Sequence, residues 1–490
     1  MNIKGKILEM VNSEYSVQYA YMAIEKLITV MMSDYLAHQG KQFEWVSMNR
    51  DVAYDAWLPD GIDDIPGSVA LEIKMYRNGR VLASRLHEII KMVASRSENI
   101  DALILVIVND IPAAVMKQLQ DRSNQFNFKV YIWDVNKLVE IFETNENLFI
   151  ETYTNLSKAL FQDTINSGIS RDNETYLLDK KKHIQTLISE YKNDNIVLFL
   201  GAGASKDADI ATWDELISEL FVTLIDEQLR AKNIDIEFAD QQKIAAEIVK
   251  QNGDSPLLQT RFLRNGFTDR FEAHIGNILY KNAKDTSDLL EEICYLCVPD
   301  RGKLGIRAII NYNFDDLVEK NLKRLRVKHH SIYGEGITPD NEELGIYHVH
   351  GFIPQNKDGY NNLAQSLLVF SEEGYHKLML EPYHWANMIQ LNFMMNNTCI
   401  FVGLSMTDPN MRRLLEIATQ KNSEGNSICK HYAIMRRFHI QDSDKNNALK
   451  RFEGVNESLQ ESFFKELGIN IIWVDEYSEI PNLLRQIKEG

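Results

Sequence analysis

Helix-like and strand-like patterns of apolar residues alternate along the chain. Over residues 8–38 the apolar positions recur every three or four residues, which predicts one long helix. The pattern that follows predicts, in order, strands at 43–48, 54–58 and 69–75, a helix at 81–95, a strand at 103–108, a helix at 113–124, a strand at 128–133 and a helix at 135–142. We therefore expect a compact mixed α/β domain over residues 1–145.

A second and more regular pattern begins after a polar, helix-prone connector, which we place at residues 146–180. Residues 196–200 form a wholly apolar run, a glycine turn follows, and a helix is predicted from Trp213. Further apolar runs, separated by helical segments, lie at 308–311, 346–350, 398–402, 431–434 and 469–474. Strands that alternate with helices form parallel sheets covered on both faces, so residues 181–490 predict a Rossmann-type doubly wound domain.

Composition is typical of a cytoplasmic globular protein. The 490 residues are 44% hydrophobic, and no apolar stretch is long enough to cross a membrane. The N-terminus lacks the apolar core of a signal peptide. Four cysteines are too few for a disulfide framework, which agrees with a reducing compartment.

The net charge of −17 argues against binding DNA through a broad basic surface. A local basic groove stays open as an alternative. The most basic stretch comprises Lys323, Arg324, Arg326, Lys328, His329 and His330. We interpret it as a solvated helix end followed by a strand.

Four polar motifs follow predicted strands of the second domain. They are Gly201-Ala202-Gly203-Ala204-Ser205, Asn311-Tyr312-Asn313-Phe314-Asp315-Asp316, Tyr347-His348-Val349-His350-Gly351, and Phe401-Val402-Gly403-Leu404-Ser405 with Asp408 close behind. Ligands of open α/β sheets bind outside the carboxyl ends of the strands, and a glycine turn there lets backbone N–H groups approach a diphosphate. Each motif alone is equally compatible with a turn, a helix cap or a core histidine. All four in this order indicate a nucleotide site.

This ordered set resembles the sirtuin superfamily over roughly residues 180–490, and most closely its bacterial, zinc-free branch of NAD-hydrolysing antiviral defence proteins. The resemblance implies that Asn313 and Asp315 order the nicotinamide ribose and the attacking water, and that His350 is the general base. It implies that the NAD diphosphate is held by Gly201, Ala202, Gly203 and Ser205. It also implies contacts to the adenosine half from Gly403 and Ser405, with Asp408 nearby.

The sequence departs from the deacetylating sirtuins in two places. Those enzymes carry two Cys-x-x-Cys pairs after the His-Gly motif, and the pairs bind zinc. Here a single pair, Cys294 and Cys297, precedes the Asn313 motif, and we interpret it as two thiols on a buried helix. The Gly-Ile-Pro-Asp-Phe-Arg segment of the deacetylases is replaced by residues 209–214. Because both losses remove parts of the acyl-lysine site, we expect no zinc and expect water as the acceptor, which implies an NAD hydrolase.

A second candidate site lies on a hairpin predicted for the first domain. Its strands, around 54–58 and 69–75, are joined by a turn rich in Gly, Pro and Asp and should pair antiparallel. With the turn centred near residue 64, Glu72 faces about Ala56, Lys74 faces about Tyr54, and Asp55 lies beside Glu72. Side chains alternate along a strand, so the two polar residues of Glu72-Ile73-Lys74 share one face.

Asp…Glu-x-Lys on such a hairpin resembles the PD-(D/E)xK nuclease superfamily, whose fold is a restriction-endonuclease-like mixed α/β domain. The resemblance implies that Asp55 and Glu72 bind Mg²⁺ and that Lys74 orients the attacking water, with Glu14 as a candidate fourth member. Two alternatives stay open. The charges could belong to a solvated strand face, or the domain could bind DNA or a protein partner without cutting.

The two resemblances together imply an antiviral effector of the abortive-infection type. Such fusions resemble the subunit that works with a HerA-type hexameric ATPase. An NAD hydrolase that is always active would kill its host, so we expect control through homo-oligomerisation or a partner. Two other hypotheses remain: a nuclease whose second domain senses NAD or ADP-ribose, and a non-enzymatic nucleotide-binding scaffold.

Overall fold

The chain folds into two compact units. The first comprises residues 1–179, 419–429 and 438–468, and the second comprises residues 180–418, 430–437 and 469–490. The computed structural model describes residues 2–12, 17–46, 54–77, 83–96, 100–123, 125–234, 237–251, 256–300, 305–370, 372–422, 429–440 and 447–490. Within those ranges, no helix is both long enough and apolar enough to span a membrane.

The first unit is built around a five-stranded sheet. Its strands are β1 (Glu44–Trp45), β2 (Ala56–Leu58), β3 (Val69–Lys74), β4 (Ala102–Ile107) and β5 (Lys129–Trp133). The helices of this part of the chain are α1 (Ile3–Val11), α2 (Val17–His38), α3 (Ala83–Arg96), α4 (Ala113–Ser123), α5 (Val135–Phe142), α6 (Glu146–Thr154) and α7 (Leu156–Ser170).

The sheet is mixed, with the strands in chain order from β1 to β5. Strands β1, β2 and β3 pair antiparallel, whereas β3, β4 and β5 run parallel. Every residue of β4 is buried, because α1, α2 and α5 cover one face of the sheet and α3 and α4 cover the other. The alternation of strands and helices that the sequence predicts is therefore present, and β2 and β3 form the predicted hairpin.

The single long helix predicted over residues 8–38 is wrong. Two helices, α1 and α2, lie there, and the first begins at Ile3. Helix α1 ends at Val11 because Asn12 closes it: the Asn12 side-chain amide donates to the Leu8 carbonyl at 3.0 Å. The candidate residue Glu14 lies outside the described residues.

The remaining elements follow in the order expected for a doubly wound domain. The strands are β6 (Ile196–Leu200), β7 (Ile306–Asn311), β8 (His329–Ile332), β9 (Leu344–His348), β10 (Thr398–Val402), β11 (His431–Arg436) and β12 (Ile469–Val474). The helices are α8 (Asn173–Lys192), α9 (Ala202–Ser205), α10 (Trp213–Arg230), α11 (Phe238–Gln251), α12 (Pro256–Phe267), α13 (Phe271–Leu279), α14 (Asp288–Leu296), α15 (Leu317–Arg324), α16 (Glu372–Leu380), α17 (Trp385–Asn396), α18 (Pro409–Asn422), α19 (Asn447–Glu466) and α20 (Ile480–Glu489).

The seven strands β6 to β12 form one sheet in the order β12-β11-β10-β6-β7-β9-β8, and all neighbours are parallel. This arrangement confirms the predicted parallel α/β sheet. Parallel neighbours end at the same edge, so the carboxyl ends of β6, β7, β9 and β10 bring the four sequence motifs together. Helix α19, although it lies between β11 and β12 in the chain, packs against α7 in the first unit.

The basic stretch at residues 323–330 has the predicted secondary structure, a helix end followed by a strand. It is the end of α15 followed by β8. Arg324 lies 2.9 Å from Glu291, and Lys328 lies 2.7 Å from Glu342. Two of the four Lys and Arg side chains in the stretch thus face carboxylates at the surface.

Candidate active site

The glycine turn after β6 packs directly against the glycine turn after β10. The Gly201 N–H donates to the Val402 carbonyl at 3.0 Å, and the Gly203 N–H donates to the Gly403 carbonyl at 2.9 Å. A Cβ atom on Gly203 would lie 2.7 Å from Gly403 Cα, so neither turn tolerates a side chain at the contact. On the outer side Ala202 is exposed, which leaves backbone available to a ligand.

Asn313 connects the loop after β7 to the glycine turn. Its side-chain amide donates to the Gly201 carbonyl at 3.0 Å and to Ser205 Oγ at 3.1 Å. Its own N–H donates to Asn311 Oδ1 at 3.0 Å, which tightens the loop. The residues implied for the diphosphate and for the ribose are thus in direct contact.

Asp315 lies behind Asn313 and is almost fully buried. Its Oδ1 accepts the Leu317 N–H at 3.1 Å, which ties it to the start of α15. Burial raises the pKa of Asp315 to about 6, although the bonds from Leu317 and Ser205 work in the opposite direction. Ionisation of this buried carboxyl therefore lowers the stability of the fold.

Asp315→Asn is expected to stabilise the fold at pH 7.5 and to have no such effect near pH 4. The pKa of Asp315 in the folded protein, about 6, lies above its ordinary value of 3.8. The protonated carboxyl therefore makes its full favourable contribution to the free energy of unfolding below pH 3.8, and this contribution is lost as the pH rises through 6. Asparagine does not ionise, so the variant avoids this loss of about 3 kcal/mol in the free energy of unfolding. Urea unfolding at several pH values measures it, with the exposed Asp340→Asn as the control. Equal stability of wild type and Asp315→Asn at pH 7.5 would contradict the prediction.

His350 follows β9 and is enclosed by aromatic rings. The ring centroid of Tyr312 lies 4.4 Å from that of His350, and the ring of Tyr375 lies 5.7 Å away. Burial lowers the pKa of His350, and the nearby Asp408 only partly offsets this. His350 is consequently a neutral imidazole near pH 7, the form that a general base requires.

Asp408 lies against His350, at 3.5 Å from its Nε2 atom, rather than beside the exposed Ser405. The Tyr375 hydroxyl donates to the same carboxylate at 2.8 Å. Ser405 instead shares a hydrogen bond of 2.7 Å with Thr407. Sequence reasoning missed Tyr375, because an isolated tyrosine in a polar segment carries no signal of its partner.

A cavity of about 360 Å³ lies next to this loop cluster, between α13 and the segment after Gly351. Tyr280 lines it, and its hydroxyl oxygen lies 2.9 Å from both of its possible acceptors, Asp316 Oδ1 and the Ile353 carbonyl. Tyr280 thus links the cavity wall to the loop that carries Asn313.

Cys294 and Cys297 are buried on and just after α14, as interpreted from the sequence. Burial raises the pKa of the Cys297 thiol to about 12 and also raises the pKa of Cys294, so both are protonated thiols. Across the described ranges, no three His, Cys, Asp or Glu side chains are arranged to hold a metal ion.

In the first unit the structure brings Asp55, Glu72 and Lys74 together. Lys74 Nζ lies 2.5 Å from Glu72 Oε1, and Asp55 Oδ2 accepts the Ile73 N–H at 2.7 Å. The predicted register is off by one residue: Ala56 pairs with Leu71, because the turn is one residue shorter than assumed. Asp55 comes just before the paired residues of β2, and its N–H donates to the Leu71 carbonyl at 2.9 Å.

Glu25, on α2, belongs to the same cluster. Burial and then Asp55 raise the pKa of Glu25 well above its ordinary value, with a smaller contribution from Glu72. Burial and Asp55 likewise raise the pKa of Glu72 to about 8. Tyr21, one helical turn before Glu25, donates to the Ile73 carbonyl at 2.7 Å and holds α2 against β3. Three carboxyl groups therefore share one ammonium, that of Lys74.

Residues 307–471 match the family described as SIR2-like domain. The matched region contains three of the four motifs, those of Asn313, His350 and Gly403. The seven-stranded parallel sheet fits a sirtuin-like or Rossmann-like domain.

The curated relatives include several proteins named NAD(+) hydrolase ThsA. The one from Enterococcus faecium is 23% identical over 321 residues, which is 64% of this chain and 59% of the relative. The one from Acinetobacter baumannii (strain 532279) is 22% identical over 326 residues, 63% of this chain and 56% of the relative. The one from Bacillus cereus (strain MSX-D12) is 20% identical over 310 residues, with coverage of 63% and 56%. The chain thus spans somewhat more than half the length of these relatives.

Proposed function

We propose that this protein hydrolyses NAD to nicotinamide and ADP-ribose. The observation that carries the proposal is the contact between Asn313 and the glycine turn, through Gly201 and Ser205. It connects the residue suited to the ribose with the turn suited to the diphosphate, and a neutral, buried His350 belongs to the same loop cluster. The relatives named NAD(+) hydrolase support the same substrate.

The proposed chemistry uses the residues of this loop cluster. The bond between C1′ of the ribose and the nicotinamide nitrogen breaks, and the nitrogen keeps the electron pair. Nicotinamide leaves as a neutral molecule, so no strong acid is needed. Asn313 orients the ribose and a water molecule, the water oxygen bonds to C1′, and its proton passes to His350 and then to solvent. Asp408 faces the imidazole and stabilises the protonated form that arises.

Water is the acceptor in this proposal, not a protein lysine. The two thiols of Cys294 and Cys297 are buried and protonated, so they support a structural role in α14. A reaction with water needs only NAD as substrate and no zinc.

The biological role that we propose is depletion of NAD as an antiviral, abortive-infection effector in the cytoplasm. Homo-oligomerisation or a partner such as a HerA-type hexameric ATPase would restrain the activity until infection. These assignments rest on the resemblance described above and belong to the same proposal.

The direct test is to incubate purified protein with NAD and to separate the products chromatographically. Equal amounts of nicotinamide and ADP-ribose are expected. NAD that stays intact while the protein binds it would favour the sensor hypothesis. A protein that neither binds nor cleaves NAD would refute the assignment and leave a scaffold.

The buried cluster of the first unit favours a second candidate function, Mg²⁺-dependent cleavage of DNA. Mg²⁺ is commonly bound through one or two carboxylates while it keeps several waters and substrate phosphates, so Asp55 and Glu72 would suffice. The cation would replace the protons that the raised pKa values of Glu25 and Glu72 now favour. Lys74 would orient the attacking water.

Lys74→Ala is expected to lower Mg²⁺-dependent DNA cutting by about 10²-fold or more, because the ammonium positions the nucleophile. Supercoiled plasmid with and without Mg²⁺ provides the assay. Lys137→Ala, at a half-exposed lysine on α5 that pairs only with Glu140 among the described residues, is the matched control. Cutting that survives Lys74→Ala would reject the catalytic assignment, and absence of cutting by wild type would favour a domain that only binds.

A further inference from the structure

A buried pair of a histidine and a glutamate lies beneath the Asn313 loop. His348, at the end of β9, places its Nε2 atom 2.6 Å from Glu319 Oε1 on α15, and the two side chains are 0% and 3% exposed. Ser331, on β8, donates to the same oxygen at 2.8 Å. Strands β8 and β9 and helix α15 thus meet at one carboxylate, which is buried from solvent.

Both ring nitrogens of His348 face oxygen acceptors. The Nδ1 atom lies 3.3 Å from the backbone carbonyl of Asn313, opposite the bond to Glu319. A neutral imidazole carries one N–H and satisfies one of these acceptors, whereas an imidazolium satisfies both. Burial raises the pKa of Glu319, but His348 and the hydrogen bonds to the carboxylate, including the one from Ser331, together lower the pKa below its ordinary value. The geometry therefore places His348 between the Glu319 carboxylate and the Asn313 carbonyl.

Asn313 is consequently fixed from three directions. His348 holds its carbonyl, Asn311 Oδ1 holds its N–H, and its side chain is directed at Gly201 and Ser205. We propose that Glu319 and His348 are positioning residues that set the orientation of Asn313 for the attack on NAD. This inference rests on the proposed function and extends it to a pair that never touches the substrate.

A role in stability alone does not account for the pair. Removing two charges from water is costly, and buried ion pairs are often replaced without loss when both partners change. Glu319 Oε2 is buried and has no hydrogen-bond partner among the described residues. A buried pair that leaves one carboxylate oxygen unsatisfied is poorly suited to stability alone, whereas His348 Nδ1 faces the Asn313 carbonyl.

Two double variants separate positioning from stability. A single change leaves one buried charge unpaired and can prevent folding, so both partners are changed together. In Glu319→Gln/His348→Asn the asparagine amide occupies the place of Nδ1 and can still donate to the Asn313 carbonyl. In Glu319→Gln/His348→Gln the longer amide reaches only the place of Nε2. Both variants are neutral at the two positions.

With NAD as substrate, the His348→Gln double variant is expected to lose about 30- to 100-fold in kcat with KM changed less than about threefold, because the bound NAD no longer meets a correctly placed Asn313. The His348→Asn double variant is expected to stay within about fivefold of wild type. The matched control is His330→Gln/Glu343→Gln, a half-exposed pair at 3.5 Å close to β8 and β9. It should keep wild-type kinetics.

Each result decides one question. A wild type that releases no nicotinamide overturns the proposed function and this inference with it. An active wild type, together with a folded His348→Gln double variant of unchanged kcat, overturns the inference alone. If neither double variant folds, Ser331→Ala decides, because it removes only one donor to Glu319. A kcat reduced about threefold at unchanged KM supports positioning, and an unchanged kcat overturns it.

Discussion

Replacing Asn313 by alanine is expected to reduce the rate of nicotinamide release by about 10³-fold while the protein stays folded. The Asn313 amide connects the loop after β7 to both Gly201 and Ser205. Alanine removes both bonds and leaves the ribose and the attacking water without a fixed orientation. The loop itself keeps its shape, because the backbone bonds of residue 313 to Asn311 and His348 do not involve the lost amide.

The measurement is the initial rate of nicotinamide release at saturating NAD, with the melting temperature recorded in parallel. Asn396→Ala is the matched control, since Asn396 is an exposed asparagine of α17 that bonds only to Asn392 among the described residues. Asn313→Asp is expected to be as inactive as Asn313→Ala, because the carboxylate cannot donate to the Gly201 carbonyl and is repelled by its oxygen. Wild-type rates in Asn313→Ala would refute the proposed chemistry.

The sheet of the second unit could be predicted from the sequence because its central strands are buried on both faces. Residues 196–200, 398–402 and 469–474 read as uninterrupted apolar runs, and the structure has strands with those bounds. Strand β8, with its histidines, is less apolar and lies at the edge of the sheet, so its bounds could not be drawn from a pattern.

The first unit shows where periodicity stops being informative. The helical pattern continues on both sides of Asn12, so the sequence reads as one helix, whereas a local side-chain bond ends α1 there. Glu25 was missed for a related reason. A carboxylate on a helix joins a site only through the way that the helix docks on the sheet, and that docking depends on Tyr21 reaching β3.

In the candidate active site, some contacts could likewise be predicted from the sequence and others could not. Asn313 and Gly201 belong to motifs at strand ends, so their meeting follows from the parallel sheet. Glu319 and Tyr375 lie on helices that no motif marks, and their bonds to His348 and Asp408 become visible only when the helices are packed. The motifs predicted which loops meet, and the contacts that hold their side chains in place required the fold.

Gly403→Ala is expected to lower the free energy of unfolding by about 2–5 kcal/mol, combining a left-handed backbone with a steric clash. Gly403 has φ of +67°, and a Cβ there would lie 2.3 Å from the Ala204 backbone nitrogen. Because that atom belongs to the glycine turn, relief of the clash must move the two turns apart. The same change is therefore expected to abolish NAD binding along with stability.

Urea unfolding and calorimetric titration with NAD measure the two effects, with Gly359→Ala as the matched control. Gly359 also has a positive φ, of +91°, but nothing lies within 4 Å of a Cβ at that position. Its substitution is expected to cost only the backbone strain of about 1 kcal/mol and to leave NAD binding unchanged. If Gly403→Ala bound NAD like wild type, the close contact of the two glycine turns would be a packing feature and not part of the nucleotide site. If both variants lost binding equally, backbone strain alone would explain the loss, and the clash with the glycine turn would not be its cause.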